Sequence, residues 1–132
     1  MAGYTGNIEA AALENTAFRR VLYTSSYMQL VLMCIPVAGD IGEETHGLDQ
    51  FIRVEAGDGK AVLNGEEHVL TDGYAIVVPA GTLHNILNTG DTPLKLYSLY
   101  APPHHKDGVV HLTKADAEAD HEEYLGDTTE SA

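Results

Sequence analysis

Residues 73–88 read GYAIVVPAGTLHNILN, which places Gly73, Pro79, Gly81, His84 and Asn88 at the spacing G-x5-P-x-G-x2-H-x3-N. Glycine and proline punctuate two short apolar runs, Ala75 to Val78 and Leu83 to Leu87. That punctuation predicts a strand, a tight corner and a second strand. The corner presents His84.

Working outward, the chain is a succession of short strand signals: residues 18–25 (FRRVLYTS) and 28–37 (MQLVLMCIPV) upstream, then 51–57 (FIRVEAG), 60–70 (KAVLNGEEHVL) and, beyond the corner, 93–103 (PLKLYSLYAPP). Asn64-Gly65 between KAVL and EEHVL is a two-residue hairpin signal, because both residues tolerate positive φ. Regular strand spacing with turn residues between predicts a sandwich or barrel and not a parallel sheet with helices.

The 73–88 stretch resembles the second sequence motif of the cupin family, small jelly-roll barrels in which this histidine usually binds a metal ion. The matching first motif is supplied by residues 39–57, GDIGEETHGLDQFIRVEAG. The family form runs His-x-His, three or four residues, Glu, six residues, Gly. This chain keeps the spacing and changes the letters to Glu44-x-His46, three residues, Gln50, six residues and Gly57, with Gly39 one residue nearer Glu44 than in the family pattern. The resemblance therefore implies four metal ligands, Glu44, His46, Gln50 and His84, and one divalent ion: Fe, Zn, Mn or Ni. It assigns no catalytic residue. Asp49 competes with Gln50 for the fourth place, since it carries the charge an ion prefers.

Glu44, His46 and Gln50 share parity. On a straight strand rising about 3.3 Å per residue they would spread over roughly 20 Å, too far for one ion. Gly47 and Asp49 are turn-prone, so the chain is expected to bend between His46 and Gln50 and to bring two strand ends together. The resulting two-nitrogen, two-oxygen shell is close to the two-histidine, one-carboxylate arrangement that holds Fe(II) with open positions. Its single carboxylate leaves a divalent ion net positive and able to polarise a carbonyl.

The chain has 132 residues with 44% hydrophobic content, which predicts one domain with a real core. Residues 1–16 are expected to form an N-terminal arm, 17–112 the barrel, and 113–132 a C-terminal helix and mobile tail. The fold class is all-β, a cupin jelly-roll barrel or double-sheet sandwich. In the arm, Ala10, Ala11 and Ala12 suggest a short helix or a segment packing on a partner subunit. Thr113, three residues before Asp116, predicts a capped helix running through Tyr124 and stopped by Gly126. Cys34 is the single cysteine, so no internal disulfide forms. The first ten residues carry neither a basic start nor a long apolar run, so the expected location is cytoplasmic. A net charge of −13 with seven Lys and Arg argues against nucleic acid and anionic membrane as partners.

Other residues qualify for the pocket. Alternation puts Leu94, Leu96, Ser98 and Tyr100 on one face of their strand and Lys95, Tyr97 and Leu99 on the other, and either set can face inward; in the earlier strand Gln29, Val31, Met33 and Ile35 share one face and Leu30, Leu32 and Cys34 the other. His104-His105 follows two prolines; it either closes the barrel mouth, supplies an acid or base, or forms a surface loop, and the surface loop is the favoured reading. Arg53 has the opposite parity to Gln50 and is expected to pair with an acidic neighbour. The chain is similar to small single-domain cupins described as mannose-6-phosphate isomerase-like. A phosphorylated substrate needs Arg or Lys near its phosphate, and the basic residues form no cluster beyond Arg19-Arg20. A neutral or mildly acidic small metabolite is therefore expected. The resulting expectation is a metal-dependent enzyme of isomerase or lyase type acting on a small polar molecule, with an Fe(II)-dependent oxygenase and a non-catalytic ligand-binding module as alternatives. The resemblance also implies a homodimer.

Overall fold

A computed structural model describes residues 2–130. Two antiparallel sheets face each other. The larger contains β1 (Arg19–Thr24), β2 (Gln29–Ile35), β3 (Asp49–Ala56), β6 (Ala75–Val78), β8 (Leu94–Ala101) and β9 (Val110–His111) in the order β6-β3-β8-β2-β1-β9. The smaller contains β4 (Gly59–Leu63), β5 (Glu66–Leu70) and β7 (His84–Asn88) in the order β5-β4-β7. This is the expected jelly roll.

The 73–88 stretch crosses between the layers. β6 pairs with β3 in the large sheet, whereas β7 pairs with β4 in the small one. Gly81 makes the corner with φ 83°, a left-handed conformation that favours glycine. The terminal Asn88 of the motif is structural: its side-chain amide donates to the carbonyls of Ile35 and Thr92, and its carbonyl accepts from Gly90 N–H. The Asn64-Gly65 hairpin forms as expected, with φ of 48° and 84°.

Alternation sets the core. Val31, Met33 and Ile35 of β2, Ile52 and Val54 of β3, Ile86 of β7, and Leu94 and Leu96 of β8 are all fully buried between the sheets. Each such side chain contributes about 1.5–3 kcal/mol relative to exposure. Ser98, Tyr100 and Gln29 lie on these inward faces too, at the same end as Gln50.

Outside the sheets, Asn7 caps α1 (Ile8–Glu14) by accepting from Ala10 N–H. The helix packs on its own chain: Lys95 Nζ donates to the carbonyls of Leu13 and Asn15 at 3.0 and 2.6 Å. Thr113 caps α2 as expected, but the helix covers only Lys114–Ala119. The expected continuation to Tyr124 fails because the next residues make contacts that a helix would break. Asp120 engages His111 and Glu122 engages His105. The tail is likewise pinned through residue 130, with Thr129 exchanging hydrogen bonds with Thr24 and reaching Asp107. Residues 131 and 132 lie outside the described residues. No described helix is long and apolar enough to cross a membrane.

Candidate metal centre

The segment before β3 bends where Gly47 and Asp49 predict, and its two halves pair with the two halves of the 73–88 stretch. Glu44 and His84 exchange backbone hydrogen bonds at 2.9 Å, and Gly81 N–H donates to the His46 carbonyl at 2.7 Å. Asn85 braces this bridge from β7, accepting from Gly42 N–H and donating to Asp40, whose carboxylate also receives Lys114. Those contacts hold the Asp40 carboxyl below the usual range, Lys114 contributing most and Asn85 next.

The result is a converging cluster. One donor atom each from Glu44, His46 and His84 lies within 4.8 Å of the others, a group able to hold a metal ion. His84 is buried, and its Nδ1–H donates to the Thr82 carbonyl at 2.8 Å, which leaves the Nε2 lone pair free. His46 Nε2 sits 2.7 Å from Glu44 Oε2 but is buried without the alignment of a hydrogen bond. Burial pushes the Glu44 carboxyl up; His46 beside it, then Arg19 and His104, more than offset this and leave it below its ordinary value. Glu44 is thus ionised and suited to a cation.

Gln50 points inward from β3 and is buried. Its Nε2 donates to Ser98 Oγ at 3.3 Å, while its Oε1 has no hydrogen-bond partner. A buried amide oxygen without a partner is costly, and a metal ion is one way to satisfy it. Asp49 does not compete for that place. It is exposed, and its carboxylate accepts from Ala80 N–H at 2.9 Å, outside the cluster. Partnerless Gln50 Oε1, His46 Nε2 close to Glu44 Oε2, and ionised Glu44 together fit a divalent cation. Arg53, of opposite parity, lies 3.5 Å from Glu55 as expected.

The surface-loop reading of His104-His105 is overturned. His105 is buried, and the His104 ring centroid lies 4.3 Å from that of His46 and 5.4 Å from that of Tyr100. The loop is bolted inward by Gln29. Its Oε1 accepts the backbone N–H of both histidines and its Nε2 donates to the His105 carbonyl at 2.7 Å and to Thr24 Oγ1. Behind it, His105 Nδ1 donates to Glu122 Oε2 at 3.0 Å, and Lys106 N–H to Glu122 Oε1 at 2.7 Å. Burial holds His105 low and therefore neutral. Burial also works against the Glu122 charge, but the hydrogen bonds from His105 and the Lys106 N–H, with Arg19, bring the carboxyl to about 2. Burial, then His105 and His46, lowers His104 to about 4. Tyr100 is pushed well above the ordinary phenol value by burial and keeps its proton.

Parity groups Tyr100 with Leu94, Leu96 and Ser98, and Gln29 with Val31, Met33 and Ile35, without fixing which face turns inward. Burial of His104 and His105 depends on Glu122 and Gln29, and no local pattern announces those distant partners.

A family model described as a cupin domain matches residues 31–100. YrkC of Bacillus subtilis (strain 168) is 51% identical over 121 residues, covering 86% of this chain and 64% of that protein, so the chain spans less than two thirds of that relative's length. L612 of Acanthamoeba polyphaga mimivirus is 41% identical over 116 residues, covering 84% of this chain and 72% of that protein. The crystal structure of BH2720 from Bacillus halodurans superposes with a TM-score of 0.89 at 48% identity, covering 90% of this chain and 96% of that one. With both motifs in place on a two-sheet jelly roll, the chain belongs to the cupin family.

Proposed function

We propose that this chain is a metal-dependent cupin enzyme of isomerase or lyase type. One divalent ion is held by Glu44, His46 and His84, with Gln50 Oε1 as the fourth ligand, and the substrate is a small polar carbonyl compound. The observation that carries the reading is the convergence of the Glu44, His46 and His84 donor atoms within 4.8 Å; Gln50, inward on β3, adds a buried oxygen without a partner. A divalent ion there supplies Lewis acidity toward a carbonyl or hydroxyl oxygen.

The chain's own residues supply the proton chemistry. His104 packs against His46 and is a free base at neutral pH, so one of its ring nitrogens is available to take a proton. Tyr100, held protonated beside His104, offers an O–H to developing negative charge on the substrate. The Gln29-braced loop and the Glu122 contact keep His104 in place and limit water. The mannose-6-phosphate isomerase-like subtype lies within this proposal, as do a homodimer and a small-molecule partner.

The two-histidine, one-carboxylate donor set also suits an Fe(II) oxygenase, and one experiment separates the readings. Protein purified without added metal is analysed for metal and incubated with small carbonyl compounds in deuterated buffer under an oxygen electrode. The proposal expects about one divalent ion per chain and deuterium entering the carbon next to the carbonyl without oxygen uptake. Iron with oxygen uptake moves the assignment to an oxygenase. Bound metal with neither signal makes the chain a ligand-binding module, and absence of metal rejects the centre.

A further inference from the structure

The two adjacent arginines of β1 face opposite ways. Arg20 is partly exposed and its Nε donates to Asn15 Oδ1. Arg19 keeps the phase of buried Val21 and stands opposite Met33 of β2, which itself stands opposite Leu96 of β8. It therefore rises from the inner face of the large sheet, and only 7% of it is exposed.

A buried guanidinium needs compensation. Carboxylates normally provide it, in a geometry that matches the guanidinium fork. Among the described residues no carboxylate forms an ion pair with Arg19. Its Nη1 donates to His111 Nδ1 at 3.2 Å, and its Nε is buried with no hydrogen-bond partner. His111 accepts at Nδ1 because its Nε2–H is spent on Asp120 Oδ2 at 2.9 Å, so a neutral imidazole stands between Arg19 and the nearest acid of that chain of contacts. The packing of the guanidinium carbon 5.5 Å from the Phe18 ring centroid orients the group without neutralising it.

The arginine also belongs to the interior that holds the metal ligands. Its charge reaches Glu44, Tyr100, His105 and Glu122, all of which line or close the same end of the barrel. A buried guanidinium whose Nε has no partner is balanced by an anion.

We propose that Arg19 is the anion-binding group of the barrel, receiving the carboxylate of a small acid whose adjacent carbonyl or hydroxyl oxygen faces Glu44, His46 and His84. This rests on the metal reading above and narrows its substrate to small 2-oxo or 2-hydroxy acids. It accords with the expectation of a mildly acidic small metabolite. One buried arginine serves a carboxylate without any surface cluster.

The test uses full-length protein as purified, with pyruvate, lactate and glyoxylate as probes and pyruvamide as the neutral control. Calorimetry is expected to show at least one of the acids binding more tightly than pyruvamide. Arg19→Met is expected to weaken that acid roughly 10- to 100-fold, the worth of a hydrogen bond to a charged group, while leaving pyruvamide affinity and metal content unchanged. In the wild-type protein, the Arg19 Nε–H resonance is expected to shift saturably with the acid and not with pyruvamide. That measurement stands even where the variant fails to fold. Equal affinity of wild type and Arg19→Met for the acids, equal affinity of wild type for acid and amide, or an unmoved Nε–H resonance with all three acids overturns the assignment. Acid binding at Arg19 in protein that holds no metal keeps this assignment and removes the metal reading, whereas metal without acid binding does the reverse.

Discussion

Replacing Glu122 by glutamine tests how the C-terminal segment is fastened over the barrel mouth. The side chain is 9% exposed and accepts from His105 Nδ1–H and Lys106 N–H. These contacts prefer the ionised acid, and the folded chain holds the carboxyl at about 2 against an ordinary 4.5. A folded-state value below the unfolded one contributes stability that is complete above about pH 4.5 and is lost as pH falls toward 2, because the unfolded chain takes up the proton first. At neutral pH, where His105 is uncharged, its hydrogen bond and that of Lys106 N–H to the ionised carboxylate contribute about 1.5–3 kcal/mol. Glutamine keeps the shape and one acceptor, so the expected loss in Glu122→Gln is about 1.5–3 kcal/mol at pH 7. Urea unfolding of metal-stripped wild type and variant, followed from pH 7 to pH 2, reads this directly. The gap between the two proteins should be constant down to about pH 4.5 and close as pH approaches 2. A gap that stays constant to pH 2, or that is absent at pH 7, refutes the account of this contact.

Two further substitutions follow from the geometry. Asp49→Ala should leave metal content unchanged, since the carboxylate faces outward and caps Ala80 N–H; elemental analysis checks this, and loss of the ion would return Asp49 to the ligand set. Gly59→Ala should lower stability by about 1–3 kcal/mol in urea titration, because a Cβ there meets the Leu87 carbonyl oxygen and a Leu94 methyl where β4 lies against β7. An unchanged midpoint would contradict the packing described for that layer.

The fold was legible because its markers are local. Gly81 supplies the left-handed corner and Asn64-Gly65 the hairpin, while parity groups the two faces of β2 and of β8 without choosing the inward one. The bend at Gly47 and Asp49 likewise predicts that residues 44–46 separate from β3, which lets Glu44 and His46 meet His84. The sequence left Asp49 and Gln50 as rival ligands; alternation along β3 turns Gln50 inward and Asp49 outward. His104, His105 and the segment after Ala119 were misread because their burial rests on partners far away in the chain. Glu122 sits 17 residues from His105, and Gln29 lies 76 residues from it. Arg19 escaped notice for a similar reason. Arg19 shares the parity of buried Val21, but Phe18 of the opposite parity is buried too, so in the sequence alone alternation did not single out the arginine as inward.

The central claim is that Glu44, His46 and His84 share one divalent ion, and it is most directly tested by metal stoichiometry in His46→Ala and His84→Ala beside the wild type. Each variant is first confirmed to retain the β-rich circular dichroism spectrum of the wild type. The account predicts about one ion per chain in wild type and near none in either variant. A full complement of metal in both folded variants would contradict it.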